Sequence, residues 1–277
     1  MKILLLLALV FALNGTSGCS GIFFFPQKKH LQTPDQLGLA YEDIFFTSAD
    51  NLTIHGWWLN ARAPVKGTIY FLHGNAENIS THIHNVAWLP AHGYQVFLLD
   101  YRGFGLSEGK ATLPGALQDI QAGFEYLLTR TDNHEKPLYL LGQSLGGSMA
   151  IYFAATDPLA KQYLNAVISD AAFPRYSDMA RHVSGQSWLT WPLQYPVSWS
   201  MIKGYDPVDH VADIAPLPLL LIHSQDDRIV PHAFNEELLQ AAIVPKNFFE
   251  TRGPHTATFS NAQNREYFLD YLARTGK

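Results

Sequence analysis

The residues with the clearest chemistry lie at 142–146, where the sequence Gly-Gln-Ser-Leu-Gly places Ser144 between two glycines. A strand-like apolar run precedes this stretch and a helix-like run follows it, which is the context of a nucleophilic serine on a sharp strand-to-helix turn. Gly142 and Gly146 keep the neighbouring backbone free of side-chain clashes. The first N–H groups of the helix then face the negative charge that develops on a substrate oxygen. The pattern predicts Ser144 as a nucleophile.

A serine nucleophile needs a base, and His255 lies on a loop between the last predicted strand and the last predicted helix. This histidine could accept the proton of Ser144 and return it to the leaving group. Asp226 and Asp227 lie in an acidic loop after a buried strand, where a carboxylate could orient the imidazole and stabilise its cation. Asp170, at the end of another predicted strand, is a further candidate for this acid.

A second loop follows another predicted strand, at the point where His73 and Gly74 turn the chain. In hydrolases with this type of serine turn, the oxyanion hole takes one backbone N–H from the residue after the nucleophile, here Leu145, and one from such a loop. We predict Asn75 as the second donor, with Ala76 as the neighbouring alternative. His73 lies at the strand end before the turn, so we assign it a structural role.

Short apolar runs alternate with helix-like patterns along most of the chain. The predicted strands are 41–48, 52–59, 67–73, 94–100, 137–142, 165–170, 218–223 and 246–250, and the predicted helices are 113–129, 144–155, 232–242 and 261–274. Residues 49–51 separate the first two strands as the turn of an antiparallel hairpin. The alternation predicts an α/β fold with a mostly parallel, eight-stranded sheet that helices cover on both faces.

Residues 174–216 interrupt the alternation with a long stretch that is rich in tryptophan, tyrosine and methionine and contains several prolines. A segment of this length without a strand is an insertion. Two interpretations fit it: a small helical lid over a pocket, or a pair of helices packed on the surface. We favour the lid.

The composition is that of one globular domain, since 47% of the 277 residues are hydrophobic and 16% are charged. Such a chain can bury a sizeable core and is not disordered. The formal net charge of −5 argues against a nucleic-acid partner. One cysteine excludes a disulfide within the chain and the spacings of zinc fingers.

The N-terminal residues form a separate unit. After Lys2, the apolar run at 3–13 is shorter than the roughly 20 residues that a membrane-spanning helix needs, but it fits a secretory signal. Cys19, the only cysteine, follows two small residues, and this arrangement resembles a bacterial lipoprotein signal. The resemblance implies a signal peptide at 1–18, a lipid on Cys19 and a tether over 19–40.

The expected location is therefore the cell envelope, where an exported lipoprotein is anchored to a membrane. Ser20 after the cysteine suits the outer membrane, or the periplasmic face, if the host is Gram-negative. Lipoprotein signals prefer leucine three residues before the cysteine, whereas Thr16 stands there in this chain. An ordinary secretory signal and an uncleaved anchor are the alternatives.

From about residue 41 to the C terminus, the chain resembles the α/β-hydrolase superfamily. More narrowly, it resembles the serine aminopeptidase-like branch, whose oxyanion loop carries His-Gly-Asn. That branch includes bacterial hydrolases of unknown substrate and eukaryotic membrane-associated hydrolases, some of which remove palmitate from proteins. Four stretches carry the resemblance, at 73–76, 100–109, 142–147 and 227–231.

The resemblance implies the fold and the serine–acid–histidine order of Ser144, Asp227 and His255. It selects Asp227 over Asp226 because the family acid stands three residues before a Val-Pro pair, as Asp227 does. The chain departs from the family at Glu77, where glycine is common. Glycine tolerates a positive φ far better than glutamate does, so the shape of the oxyanion loop depends on this position.

We expect a serine hydrolase that cleaves carboxylic esters or thioesters through an acyl-enzyme, with no metal ion and no organic cofactor. The aromatic insertion favours acyl or aryl substrates. One alternative is a peptidase of the aminopeptidase-like branch, which would need carboxylates in the lid to bind a substrate ammonium group. The candidates for that cluster are Asp178, Asp206, Asp209 and Asp213. The other alternative is a non-catalytic binding lipoprotein, which would not need all three triad residues.

Overall fold

The computed structural model describes residues 21–62, 64–130 and 136–276. The strand bounds are β1 (Phe25–Pro26), β2 (Tyr41–Thr47), β3 (Thr53–Leu59), β4 (Gly67–Leu72), β5 (Ala76–Glu77), β6 (Tyr94–Asp100), β7 (Leu138–Gln143), β8 (Ala166–Asp170), β9 (Leu219–Ser224) and β10 (Lys246–Thr251). Eight of these strands form one sheet in the order β10-β9-β8-β7-β4-β6-β3-β2, and the short strands β1 and β5 pair with each other. Strand β3 runs antiparallel to both of its neighbours, and the other pairings are parallel.

Helices connect the strands and flank the sheet. Their bounds are α1 (Ile79–His82), α2 (Leu113–Thr129), α3 (Leu145–Thr156), α4 (Pro158–Tyr163), α5 (Tyr176–Gly185), α6 (Gln194–Trp199), α7 (Pro207–His210), α8 (His232–Ala241) and α9 (Ala262–Thr275). Short 3-10 helices cover Gly21–Phe23, Pro34–Leu37, Ile83–Asn85, Leu89–His92, Trp191–Leu193, Val211–Ile214 and Thr258–Ser260. No helix among the described residues has the length and hydropathy to cross a membrane.

The predicted strands and helices are confirmed, and their bounds differ from the predicted ones by at most one residue. The central strands β4, β6, β7, β8 and β9 are buried along their whole length, as parallel strands covered on both faces should be. Alternate side chains enter two apolar clusters on opposite faces. In β7, Leu140 joins Phe124 of α2 on one face, whereas Leu141 joins Phe268 of α9 on the other.

Parallel neighbours bring the C-terminal ends of their strands to one edge of the sheet. The loop 73–75 follows β4, Ser144 follows β7, and Asp170 ends β8. Asp227 and His255 follow β9 and β10 at the same edge. The topology therefore gathers the predicted site residues, which lie far apart in sequence.

Residues 21–40 differ from the predicted tether, because they are packed on the domain. Strand β1 pairs in parallel with β5, the strand that follows Asn75. Phe24 is buried in the core, and Lys28 donates to the carbonyl of Ser107 at 2.6 Å. His30 lies 2.8 Å from the carboxylate of Asp100 at the end of β6. Tertiary contacts hold this segment, which the lack of periodicity in its sequence does not predict.

Candidate active site

Ser144 lies on the sharp turn between β7 and α3 and has φ 55° and ψ −119°. A positive φ is uncommon for a residue with a side chain, and strained backbone of this kind clusters at functional sites. A Cβ at Gly142 would overlap the backbone of Gly146, and one at Gly146 would overlap the carbonyl of Leu72. The two glycines therefore permit the close approach of β7, α3 and β4 that holds Ser144 in this turn.

His255 and Asp227 form a hydrogen-bonded pair. The distance from His255 Nδ1 to Asp227 Oδ2 is 2.6 Å. The other carboxylate oxygen of Asp227 accepts the backbone N–H groups of Ile229 and Val230 at 2.8 and 3.0 Å. A carboxylate accepts the Nδ1 proton, so the neutral imidazole carries its lone pair on Nε2.

Burial acts on Asp227 in the direction that raises its pKa, but the hydrogen bond and charge of His255, together with the backbone N–H donors, lower the pKa below its usual value. Asp227 therefore stays ionised at neutral pH, as a residue that stabilises an imidazolium must. Asp226 faces elsewhere: it pairs with Arg252 at 3.3 Å and accepts the backbone N–H of Gly253 at 3.2 Å. Asp227 is thus the neighbour of His255 in this acidic loop.

Several hydrogen bonds connect the loop that carries His255 to the turn that carries Ser144. Gln143, the residue before Ser144, donates from Nε2 to the carbonyl of Thr256 at 3.4 Å and to Asp170 Oδ2 at 2.9 Å. Thr258 donates its hydroxyl to the other oxygen of Asp170 at 3.0 Å. The carbonyl of Asp170 also accepts the N–H of Ser144 at 2.8 Å. Asp170 thus fastens the two loops to each other instead of contacting the imidazole as the acid.

Burial raises the pKa of Asp170 to about 6, although the hydrogen bonds from Gln143 and Thr258 favour its ionised form. His73 is also fully buried, and burial lowers its pKa to about 3. Its Nδ1 lies 2.8 Å from the carbonyl of Gly74, and its ring lies 4.3 Å from that of Tyr101. His73 therefore packs between the oxyanion loop and Tyr101, which is a structural role.

The oxyanion loop passes close to Ser144. A Cβ built on Gly74 would lie 3.7 Å from Cβ of Ser144. Asn75, Ser144 and Leu145 line the same cavity. Both predicted backbone donors therefore lie at the cavity that Ser144 lines: Asn75 on this loop and Leu145 at the start of α3.

Glu77 adopts a φ of 63°, which is the left-handed conformation that glycine favours. The chain meets the requirement of this position with a strained glutamate instead of a glycine. The N-terminal segment braces it: Phe25 N–H donates to the carbonyl of Asn75 at 2.8 Å, and Gln27 N–H donates to that of Glu77 at 2.9 Å. Ala76 accepts a hydrogen bond of 3.1 Å from His82 Nε2.

The cavity beside Ser144 has a volume of about 160 Å³ and a mostly apolar wall. Four segments contribute to that wall: the N-terminal segment, the loop after β8, the helices α5 and α6 of the insertion, and the loop after Asp227. Their apolar lining side chains are Ile22, Phe23, Phe25, Phe173, Met179, Ala180, Val183, Val197 and Ile229. Residues 174–216 thus contribute helices that line the cavity beside Ser144, as a lid does.

The wall of this cavity contains no charged side chain among the residues that the structure describes. Asp178 instead pairs with Arg175 and Arg181 at 3.4 and 3.2 Å. Asp206 accepts the backbone N–H of Tyr176 at 2.8 Å. These carboxylates serve contacts within the lid region and do not form an ammonium-binding cluster in the cavity.

His30, His55 and Asp100 form the one group in the described chain whose ligand atoms, all within 4.8 Å, could surround a metal ion. His30 Nε2 already lies 2.8 Å from Asp100 Oδ2, whereas two ligands of a tetrahedral zinc ion lie about 3.3 Å apart. Gly105 also packs so closely that a Cβ on it would overlap Asp100. We interpret the group as a hydrogen-bonded network that fastens the N-terminal segment to β6.

The comparison with known proteins agrees with this geometry. A family model described as "Serine aminopeptidase, S33" matches residues 63–191, which include Asn75 and Ser144. The uncharacterized protein YfhR of Escherichia coli (strain K12) is 31% identical over 259 residues, which cover 90% of this chain and 86% of the relative. The chain belongs to the S33 serine aminopeptidase-like family of α/β-hydrolases.

Other similarities support the same family and fold. The α/β-hydrolase domain-containing protein WAV2 of Arabidopsis thaliana is 29% identical over 230 residues, which cover 79% of this chain and 72% of the relative. The esterase Pf2001 of Pyrococcus furiosus superposes with a TM-score of 0.74 at 21% identity, covering 92% of this chain and 98% of the esterase. The predicted family and α/β-hydrolase fold are therefore confirmed.

Sequence patterns did not predict two parts of the site of this S33-type hydrolase. The first is the N-terminal segment, where Ile22 and Phe25 line the cavity and β1 braces the oxyanion loop. Its only sequence signal is the phenylalanine run at 23–25. The second is the set of hydrogen bonds through which Asp170 connects the Ser144 turn to the His255 loop. The signal-peptide and lipidation predictions fall on residues 1–20, which lie outside the described residues.

Proposed function

We propose that this α/β-hydrolase is a serine hydrolase that cleaves carboxylic esters or thioesters through an acyl-enzyme on Ser144. The observation that carries the proposal is the 2.6 Å hydrogen bond between His255 and Asp227 at the sheet edge that also holds the strained Ser144. Nucleophile, base and orienting acid follow one another in the order of the family. A binding protein would not need this combination.

In the proposed first step, Ser144 Oγ attacks the carbonyl carbon and His255 Nε2 accepts the hydroxyl proton. Asp227 stabilises the imidazolium that results and holds its orientation. The N–H groups of Leu145 and Asn75 donate to the tetrahedral oxyanion. Its collapse expels the alcohol or thiol, which takes the proton from His255.

Water resolves the acyl-enzyme in the second half of the reaction. His255 accepts a proton from the attacking water, and the oxyanion forms again between the N–H groups of Leu145 and Asn75. Collapse of this intermediate releases the carboxylic acid and returns the proton to Ser144. Every proton transfer uses groups of this chain and water, so the reaction needs no metal ion or organic cofactor.

The apolar wall of the cavity supports an acyl or aryl substrate and gives no partner for the ammonium group of a peptide N terminus. Hydrolysis of p-nitrophenyl esters from acetate to palmitate tests the proposal. We expect Ser144→Ala to lose turnover by several orders of magnitude. Ser187→Ala changes an exposed serine outside the described cavity wall and serves as the matched control. Equal activity of both variants would refute the assignment of Ser144.

If the chain hydrolyses none of these esters, a fluorophosphonate probe on the same samples tests whether Ser144 is nucleophilic. Labelling that depends on Ser144, together with release of an N-terminal amino acid from a peptide, would favour the peptidase alternative. No labelling would favour the binding lipoprotein.

We further infer that the protein is exported and held on a membrane of the cell envelope by a lipid on Cys19. The apolar run at 3–13 and the small residues before Cys19 support this location. Mass spectrometry of the mature N terminus tests it, with a diacylglyceryl-modified Cys19 as the expected first residue. A mature chain that retains residues 1–18, or one that begins at an unmodified Cys19, would contradict it.

A further inference from the structure

The lid carries an unusual surface. Between His182 and Lys203 the chain contains no Asp, Glu, Lys or Arg residue. The exposed fractions of Trp188, Trp191 and Trp199 are 87%, 60% and 75%. The exposed large side chains of residues 188–199 form the aromatic lid surface, which comprises Trp188, Leu189, Trp191, Leu193, Tyr195 and Trp199. Soluble proteins rarely leave such a cluster exposed unless it contacts a partner or a membrane.

The helices of this surface also form the wall of the cavity beside Ser144. Val197 lines the cavity from α6, and the same helix carries Tyr195 and Trp199, whose rings lie 6.2 Å apart. Val183 lines the cavity from α5 and is 51% exposed. An apolar path therefore connects the aromatic lid surface with the cavity.

The N-terminal end of the described chain reaches the same mouth. Ile22 and Phe25 line the cavity and remain 47% and 61% exposed. Residues 1–20 directly precede them and include the apolar run at 3–13 and Cys19. A membrane attachment at Cys19, or through the uncleaved apolar run, would therefore join the domain next to the cavity mouth.

The composition of the aromatic lid surface fits the interface of a lipid bilayer. Tryptophan and tyrosine concentrate there because one end of each ring system is apolar and the other forms hydrogen bonds. The other polar side chains between His182 and Lys203 are serine, threonine and glutamine, which are uncharged, so no charge has to be removed from water or paired.

We propose that the aromatic lid surface docks on the surface of a phospholipid bilayer, with the mouth of the cavity facing the lipids. Acyl substrates then enter from the membrane along the apolar path between α5 and α6. The entry of substrate rests on the proposed function, whereas the docking does not. The absence of charge makes the docking largely independent of ionic strength and of anionic lipid.

Fluorescence quenching by brominated lipid tests the docking on the full chain. The chain is reconstituted into phosphatidylcholine vesicles whose acyl chains carry bromine close to the headgroups. Of the six tryptophans, Trp57 and Trp58 are 1% and 0% exposed and Trp88 is half-buried, so quenching reports mainly on the three tryptophans of the lid. We expect strong quenching of the wild-type emission. Vesicles that leave this emission unquenched overturn the proposal.

Two sets of variants locate the contact. Leu189→Ser with Leu193→Ser removes apolar side chains, 69% and 47% exposed, from the aromatic lid surface and keeps all six tryptophans as reporters, so this variant should lose much of the quenching. Ile243→Ser with Val244→Ser removes another exposed apolar pair, 56% and 71% exposed, from the loop before β10 at the opposite edge of the sheet. This control should be quenched like the wild type. Equal loss in both variants would mean that the lid has no special role.

Light scattering distinguishes a bilayer from a second copy of the chain. A dimer that Leu189→Ser with Leu193→Ser dissociates, combined with unquenched wild-type emission in vesicles, would assign the aromatic lid surface to self-association. Ser144→Ala separates the docking from the proposed function. That variant should be quenched like the wild type, whether or not the wild type hydrolyses esters.

Discussion

Replacing Gln27 with proline removes one backbone N–H from the strand pair that braces the oxyanion loop. In the structure this N–H donates to the carbonyl of Glu77 at 2.9 Å, while the side chain of Gln27 is exposed. Gln27→Pro therefore changes the brace without altering the cavity wall. We expect kcat to fall, because the loop that carries Asn75 loses part of its support.

The size of this effect follows from two opposing energies. The left-handed conformation of Glu77, with φ 63°, is disfavoured by about 1–2 kcal/mol for a residue with a side chain. The lost hydrogen bond contributed about 1 kcal/mol against this strain. Such a loss shifts a conformational equilibrium about fivefold. Complete displacement of the Asn75 donor would lower kcat about 100- to 1,000-fold.

We therefore expect kcat for p-nitrophenyl acetate to fall between about fivefold and 1,000-fold, with KM changed much less. Gln27→Ala keeps the N–H and should behave like the wild type. Glu77→Gly, added to Gln27→Pro, should restore part of the activity because glycine adopts a positive φ without this strain. Wild-type kcat in a folded Gln27→Pro variant would refute the brace.

Three further changes test other parts of the site. Asp227→Asn should lower kcat about 10³- to 10⁴-fold because the amide misorients His255, whereas Asp226→Asn should be close to the wild type in the same ester assay. Gly146→Ala should lower the free energy of unfolding by about 1–3 kcal/mol, since the added Cβ would overlap the carbonyl of Leu72. Urea titration measures this change, and an unchanged urea midpoint would contradict the close packing. Burial raises the pKa of the Asp170 carboxyl from 3.8 to about 6. The folded chain therefore binds a proton at Asp170 more tightly than the unfolded chain does. The contribution of Asp170 to the free energy of unfolding falls as the pH rises from about 4 to about 6. The urea midpoint of Asp170→Asn should therefore decline less than that of the wild type from pH 4 to pH 6, and an equal decline would disprove the role of this group.

The sheet was predictable because its central strands are buried on both faces and read as continuous apolar runs. The turn at Ser144 was predictable because Gly142 and Gly146 mark the close approach of its neighbours. The choice between Asp226 and Asp227 was not, since two adjacent acids in a loop have no periodicity to separate them. Resemblance selected Asp227, and the structure places that carboxylate at His255.

The N-terminal segment was not predictable from local patterns. Its strand β1 has two residues, and its partner β5 is equally short, so neither carries an alternation that sequence periodicity could reveal. What holds the segment is contact with residues distant in sequence, such as the bond from His30 to Asp100. The positive φ of Glu77 likewise follows from the path of the loop, and its side chain gives no signal of it.

Peptide mapping of a covalent adduct tests whether Ser144 is a nucleophile activated by His255. The wild-type chain is treated with a fluorophosphonate, digested and analysed by mass spectrometry, beside Ser144→Ala and His255→Ala. We expect one adduct on the peptide that contains Ser144, none in Ser144→Ala and greatly slowed labelling in His255→Ala. An adduct on another residue, or labelling at the wild-type rate without His255, would contradict it.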